Sequence, residues 1–196
     1  SRSGTTWADS VAGDMDRHYS PGRTWEATSR ALVNLLSPGK VLDIASGDGV
    51  MAELLSAHAS EVVCIDLSEK VVEAGRKRLA NRTNVEFRTG DMHQLPFKDK
   101  SFDTVLLMHA LTYTDNPAQV LSEACRVLKS GGQLLAVTLA KHRHKKAVEP
   151  YNHANLGFTP ERLHQLADQS GLLVSRCEVT AHERRPPHFA VLTLSA

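Results

Sequence analysis

Five short apolar runs, spaced by turns and helical patterns, leave this chain little freedom in how it can fold. KVLDIA, EVVCID, VEFRTGD, FDTVLLMHA and GGQLLAVTLA follow one another between residues 40 and 140. GVMAELLSAHA follows the first run. SEKVVEAGRKRLANR follows the second and places Val71, Val72 and Leu79 on one face of an amphipathic helix. AQVLSEACRVLK is a third helix, and the spacing predicts that it ends at Gly131-Gly132 as a C-cap. Strands of this length separated by helical segments form βαβ units around a parallel sheet. In a doubly wound sheet of that kind, ligands bind at the carboxyl ends of the strands.

The flanking segments differ in character. KHRHKKAVEPYNHANLGF is polar and histidine-rich, which predicts a loop or lid. TPERLHQLADQSG reads as a helix with Thr159 as N-cap, Pro160 in its first position and Glu161 behind it. LLVSRCEVTA and FAVLTLSA are expected to be antiparallel strands joined through HERRPPH. One or two helices are expected before residue 40. The expectation is an α/β, seven-stranded, mostly parallel sheet with an antiparallel C-terminal pair. A helical cap at 1–38 and the sheet domain at 39–196 would form one compact unit. At 196 residues the chain is long enough for one such core.

Composition removes several function classes. A net charge of +1 gives no global reason to expect nucleic acid or an anionic membrane. No run approaches the ~18 apolar residues that a spanning helix needs. SRSGTTWADS has neither the basic nor the apolar region of a signal peptide, and three cysteines far apart with no CxxC pair make a reducing, cytoplasmic home the expectation. The missing initiator Met suggests a processed chain or a piece of a longer one. Cys64, Cys125 and Cys177 lie far apart among apolar neighbours, as buried small hydrophobes do. His142, His144 and His153 are close in sequence but have no cysteine or acid at ligand spacing, so no metal is expected.

The turn after the first run, Asp43-Ile44-Ala45-Ser46-Gly47-Asp48-Gly49, fits two templates. GDGVMA matches the dinucleotide pattern G-x-G-x-x-G/A. An acid closing the strand before a small-x-Gly-x-Gly turn suits a nucleoside that carries no phosphate. No Lys or Arg occurs between Val41 and Ser60, whereas Asp43, Asp48 and Asp66 are available. This favours the second template without deciding it, because a helix N-terminus alone can hold a phosphate.

The segments downstream decide it. VLDIASGDGV, the strand ending in Asp66, GDMHQLPF, SFDTVLLMHAL and RVLKSGGQLLAVT, in that order, resemble the class I methyltransferases that use S-adenosylmethionine, with their Rossmann-like fold. The resemblance covers residue 40 to about 140. It implies that Asp43, Ala45, Gly47 and Gly49 form the nucleoside turn, with Asp66 and the adjoining Leu67 at the ribose. Asp91 and Met92 would meet the adenine, His109 would also lie against the cofactor, and His109 and Tyr113 are the nearest candidates for a base and a substrate contact. Tyr19 and Arg23, with Trp25, would either close over the ligand or fill the core of a helical cap. The family's usual first glycine is Ala45 here, and its cost depends on whether that position needs a positive φ.

Methyl transfer needs mainly proximity and alignment, plus a base if the acceptor must lose a proton. LLMHALTYT stands where amino methyltransferases carry Asn/Asp-Pro-Pro-aromatic, which points to a small-molecule acceptor. Its cavity is expected beside residues 109–114 and 141–158. DSVAGDMDRHYSPGRTWE and HERRPPHF also resemble a bacterial subgroup in which such a domain follows an ArsR-type winged-helix domain. That likeness implies an alternative, a sensor of S-adenosylmethionine or S-adenosylhomocysteine without turnover. In it, DNA contact would come only through a missing upstream domain.

Overall fold

The computed structural model describes residues 6–15 and 18–196. The chain divides into two compact units, Ser1–Leu36 and Ser37–Ala196.

The first unit carries α1 (Trp7–Ser10), α2 (Trp25–Leu32) and a 3₁₀ turn, Val33–Leu35. Thr6 caps α1 in a reciprocal box with Asp9, and the Thr24 hydroxyl accepts the Ala27 amide at 3.1 Å to start α2. Within this unit Val11 and Val33 are buried. Tyr19 and Trp25 are 82% and 76% exposed, so these aromatic residues do not fill a core. Arg23 stacks over the Trp7 ring at 5.8 Å and donates to the Met15 sulfur at 3.7 Å.

The second unit is a seven-stranded sheet. In chain order its elements are β1 (Lys40–Ile44), α3 (Val50–Leu55), β2 (Glu61–Asp66), α4 (Glu69–Arg78), β3 (Val85–Thr89), β4 (Phe102–Met108) and α5 (Pro117–Val127). There follow β5 (Leu128–Leu139), α6 (Lys145–Val148), α7 (Pro160–Gln169), β6 (Arg176–His182) and β7 (Ala190–Ser195). Strand order is β3-β2-β1-β4-β5-β7-β6. The five strands from β1 to β5 pair in parallel, and β7 runs antiparallel between β5 and β6. The order reverses between β1 and β4, which opens a crevice at the carboxyl ends of those strands.

Local chemistry explains the elements. Residues 41–44 of β1 and 62–65 of β2 are buried without interruption, as strands covered on both faces require. Phe102, Leu107, Leu121, Leu163 and Leu194 lie among the fully buried core side chains between the sheet, α5 and α7. Burial of each is worth about 1.5–3 kcal/mol. Ser68 accepts the Val71 amide at 3.4 Å to start α4. Thr159 does the same for Arg162 at 3.2 Å, with Pro160 first in α7.

The glycine pair behaves otherwise than the sequence predicts. Helix α5 stops at Val127, and Leu128 is already paired with Phe102 in the sheet. Gly131 and Gly132 lie inside β5, where the register jumps from Phe102↔Leu128 to Thr104↔Gln133. Gly131 holds φ +75°, and a Cβ on Gly132 would come within 2.9 Å of the Asp103 carbonyl oxygen. The pair therefore builds a bulge rather than a helix cap, because the strand begins before the glycines are reached.

Two devices fasten the loop after β3. Arg126 of α5 donates to the Phe97 and Leu95 carbonyl oxygens at 2.8 and 3.0 Å while pairing with Glu123 and Asp99. Glu123 in turn accepts the Leu95 amide at 2.7 Å. The segment 141–158 contains α6 and a 3₁₀ turn, Glu149–Tyr151, and is held to the sheet by a bridge between Ala140 and Phe158. No helix among the described residues is long and apolar enough to cross a membrane.

Candidate functional site

A cavity of about 660 Å³ opens at the carboxyl ends of β1, β2, β3 and β4. It brings together Ala45, Gly47, Asp66, Leu67, Asp91, Met92, His109 and Tyr113, all chosen from the sequence. Such a volume suits a nucleoside-sized ligand.

The turn after β1 forms one wall. Ala45 holds φ +55° and Gly47 φ +58°, so the backbone turns over twice in the left-handed region. For alanine this conformation costs roughly 1 kcal/mol, which the surrounding bonds must offset. The Gly47 amide donates to Asp66 Oδ2 at 3.0 Å, and the Ser46 amide donates to the Ile65 carbonyl oxygen at 3.1 Å. A side chain on Gly47 would enter open space, so its bare backbone faces the cleft. Gly49 is different. It caps α3 at φ +87°, and a Cβ there would lie 2.6 Å from the Phe87 ring. Gly49 thus packs against the core instead of lining the cavity.

Two sequence-chosen acids also separate. Asp43 is 2% exposed and lies outside the cavity wall, with Oδ2 lacking any hydrogen-bond partner. Burial, and then repulsion from Asp66, pushes its carboxyl up to about 7. Asp66 is half-buried in the cavity wall, and Oδ1 accepts the Ser68 amide at 3.0 Å. A carboxylate has about four acceptor positions. With one backbone bond on each oxygen, Asp66 retains capacity for two hydroxyls.

The loop after β3 supplies the opposite wall. Asp91 Oδ1 accepts the His93 amide at 2.8 Å and the His93 Nδ1–H at 2.7 Å, which hold its carboxyl below the usual range. With Nδ1 protonated, His93 Nε2 accepts the Thr114 hydroxyl at 2.7 Å. This chain ties the loop after β3 to the loop after β4. The sequence reading missed His93; its position two residues after Asp91 was the available signal. Leu67 is 74% exposed beside the cleft, an apolar surface that a bound ring would cover.

His109 and Tyr113 line this cavity and also a second one of about 810 Å³. His109 holds φ +65°, fixed by its amide donating to the Val137 carbonyl oxygen at 2.8 Å and by the Thr112 hydroxyl donating to its carbonyl oxygen at 2.7 Å. Burial lowers its imidazole below the ordinary histidine range. The second cavity is lined by Leu139, Val148, Tyr151 and His153 on one side. Its other side is residues 183–187 and Phe189, between β6 and β7. The sequence placed 109–114 and 141–158 there, but gave HERRPPH, read as the connection between the last two strands, no place at this cavity. Among the described residues, no three metal-ligating side chains converge.

A family model for a methyltransferase domain matches residues 42–136, the segment that builds the first cavity. Over that segment the chain resembles a methyltransferase domain. It is 38% identical over 111 residues to a demethylmenaquinone methyltransferase of Clavibacter sepedonicus, covering 57% of this chain and 45% of that protein. It is 33% identical over 144 residues to the ubiquinone/menaquinone biosynthesis C-methyltransferase UbiE of Pseudomonas entomophila (strain L48), covering 70% and 56%. The chain thus spans about half the length of these curated relatives. The S-adenosylmethionine dependent methyltransferase from Mesorhizobium loti shares the fold, with a TM-score of 0.69, 19% identity, and coverage of 89% of this chain and 99% of that one. The seven-stranded mixed sheet is the class I methyltransferase fold.

The walls of the first cavity fit S-adenosylmethionine by charge. Asp48, Asp66 and Asp91 line it, and neither Lys nor Arg does. Asp48 is paired with Arg78 at 3.0 Å and Asp91 is bonded to His93, so Asp66 is the acid least engaged with other side chains. A ligand with a sulfonium, an ammonium and no phosphate suits such a wall, and a pyrophosphate does not.

Proposed function

We propose that the domain transfers a methyl group from S-adenosylmethionine to a small-molecule acceptor. The observation that carries this reading is the meeting of two cavities at His109 and Tyr113, at the sheet's switch point. S-adenosylmethionine, when bound, supplies an electrophilic methyl carbon and a neutral thioether leaving group.

In this reading the Gly47 backbone accommodates the amino-acid end, Asp66 accepts the ribose hydroxyls, and Asp91 Oδ2 accepts the adenine amino group beside Met92. His109, neutral at pH 7 because burial disfavours its cation, is positioned to take a proton from an acceptor in the second cavity. Tyr113 flanks the same boundary and orients the acceptor. Most of the rate enhancement would come from alignment of the two ligands, because the leaving group needs no protonation. The relatives named for demethylmenaquinone support an acceptor of small-molecule size.

The test is calorimetric titration with S-adenosylmethionine and S-adenosylhomocysteine. Both should bind, and Asp66→Ala should weaken both by at least about tenfold, as expected for loss of a carboxylate that accepts two hydroxyls. Unchanged affinity in that variant would refute the placement.

A further inference from the structure

The second cavity is apolar within and basic at its rim. Leu139 and Val148 contribute aliphatic surface, and Tyr113, Tyr151, His153 and Phe189 contribute rings. Tyr113 meets His153 edge-on at 5.5 Å, and His142 meets Phe189 at 4.7 Å, so Tyr113 and Phe189 are each braced by a neighbouring imidazole. His153 Nδ1 is buried and has no hydrogen-bond partner, which leaves one polar atom unsatisfied in this wall.

A groove of about 750 Å³ adjoins the cavity and shares Ala147, Pro186 and Pro187 with it. Arg143, Lys145 and Lys146 line that groove, and Arg184 and Arg185 line the cavity itself. Glu183 is the one acid on either wall among the described residues. Arg143, Lys145, Lys146 and Arg185 form no ion pair among the described residues. Burial lowers the imidazoles of His142, His153 and His109 below the ordinary histidine range. Unpaired cations at the mouth of an aromatic-walled cavity favour a ligand with a ring at one end and an anion at the other.

We infer that the acceptor is an aromatic carboxylate, its ring held between Tyr113, Tyr151 and Phe189 and its carboxylate held by Arg185 and Lys146 at the rim. This inference rests on the methyl-transfer reading and names the substrate class of that second cavity.

The experiment titrates naphthoate and its neutral analogue naphthylmethanol into the whole chain by calorimetry, with and without saturating S-adenosylhomocysteine. Naphthoate should bind about tenfold more tightly than naphthylmethanol, the scale of one charge-assisted hydrogen bond. The double variant Arg185→Ala/Lys146→Ala should lose that preference while its S-adenosylhomocysteine affinity stays at the parent value. Equal affinities for the two probes, or a preference that survives in the double variant, would overturn the inference. So would sedimentation with phosphatidylglycerol vesicles together with no naphthoate preference, which would make the rim a membrane surface. Failure of S-adenosylhomocysteine to bind would sink the methyl-transfer reading instead, and titration of the free protein would still decide the charge preference.

Discussion

Asp43→Asn should flatten the pH dependence of stability. Asp43 ends β1 fully enclosed, and burial followed by repulsion from Asp66 raises its carboxyl from 3.8 to about 7. The folded protein therefore holds this proton more tightly than the unfolded chain does. Stability from that proton is fully present below the unfolded value and is lost as pH rises towards the folded one. Integrating the linkage between about pH 5.5 and about pH 8.5 gives a loss of about 2 kcal/mol from this one group. Asparagine keeps the volume and cannot titrate. Its fixed effect on stability cancels when the two pH values are compared. The assay is urea unfolding followed by amide circular dichroism, for parent and variant at both values. Both tryptophans, Trp7 and Trp25, belong to the first unit, so their fluorescence would report on a different part of the chain. Parallel losses in parent and variant, within about 0.5 kcal/mol, would refute the assignment of a raised carboxyl at Asp43.

Ala45→Gly should raise stability by about 0.5 kcal/mol: relief of the left-handed strain at φ +55° exceeds the extra freedom of glycine in the unfolded chain. Thermal unfolding checks it, and a lower midpoint would contradict it. Gly75→Ala should cost about 2 kcal/mol, since the new Cβ would sit 2.2 Å from the Phe87 ring. The pair Gly75→Ala/Phe87→Leu should recover part of that loss in urea unfolding, which independent sites would not do. His93→Ala should cost about 1 kcal/mol by cutting the Asp91–His93–Thr114 chain. Hydrogen exchange should then quicken at Asn116, whose amide donates to the Thr114 hydroxyl at 2.8 Å.

The strands were legible because parallel strands covered on both faces read as near-continuous apolar runs, as residues 62–65 of β2 do and as β1 does but for Asp43. The starts of α4 and α7 were legible because Ser68 and Thr159 cap their own helices, a contact set within three residues. The first cavity was legible for a related reason. A switch point gathers the residues that follow consecutive strands, so Ala45, Gly47, Asp66 and Asp91 meet once strand order is known.

Other outcomes depended on distances that no local pattern encodes. Whether Asp43 faces the cleft or the core was decided by how deeply β1 sits in the sheet, and it sits in the core. Gly131-Gly132 looked like a helix end because glycine serves caps and bulges alike; pairing of Leu128 with Phe102 chose the bulge. For Tyr19 and Trp25 the sequence left open whether they close over the ligand or fill a core, and their side chains are exposed, so they do not fill one.

The sequence by itself determined the order of strands and helices, the nucleoside-type turn and the absence of basic residues in it. These follow from periodicity and from charges close along the chain. Only the tertiary structure decided that Glu183, Arg185 and Phe189 wall the second cavity along with Tyr113, and that the groove lined by Lys146 adjoins it. That proximity arises because β7 pairs antiparallel between β5 and β6, which returns the connection to the sheet's carboxyl edge.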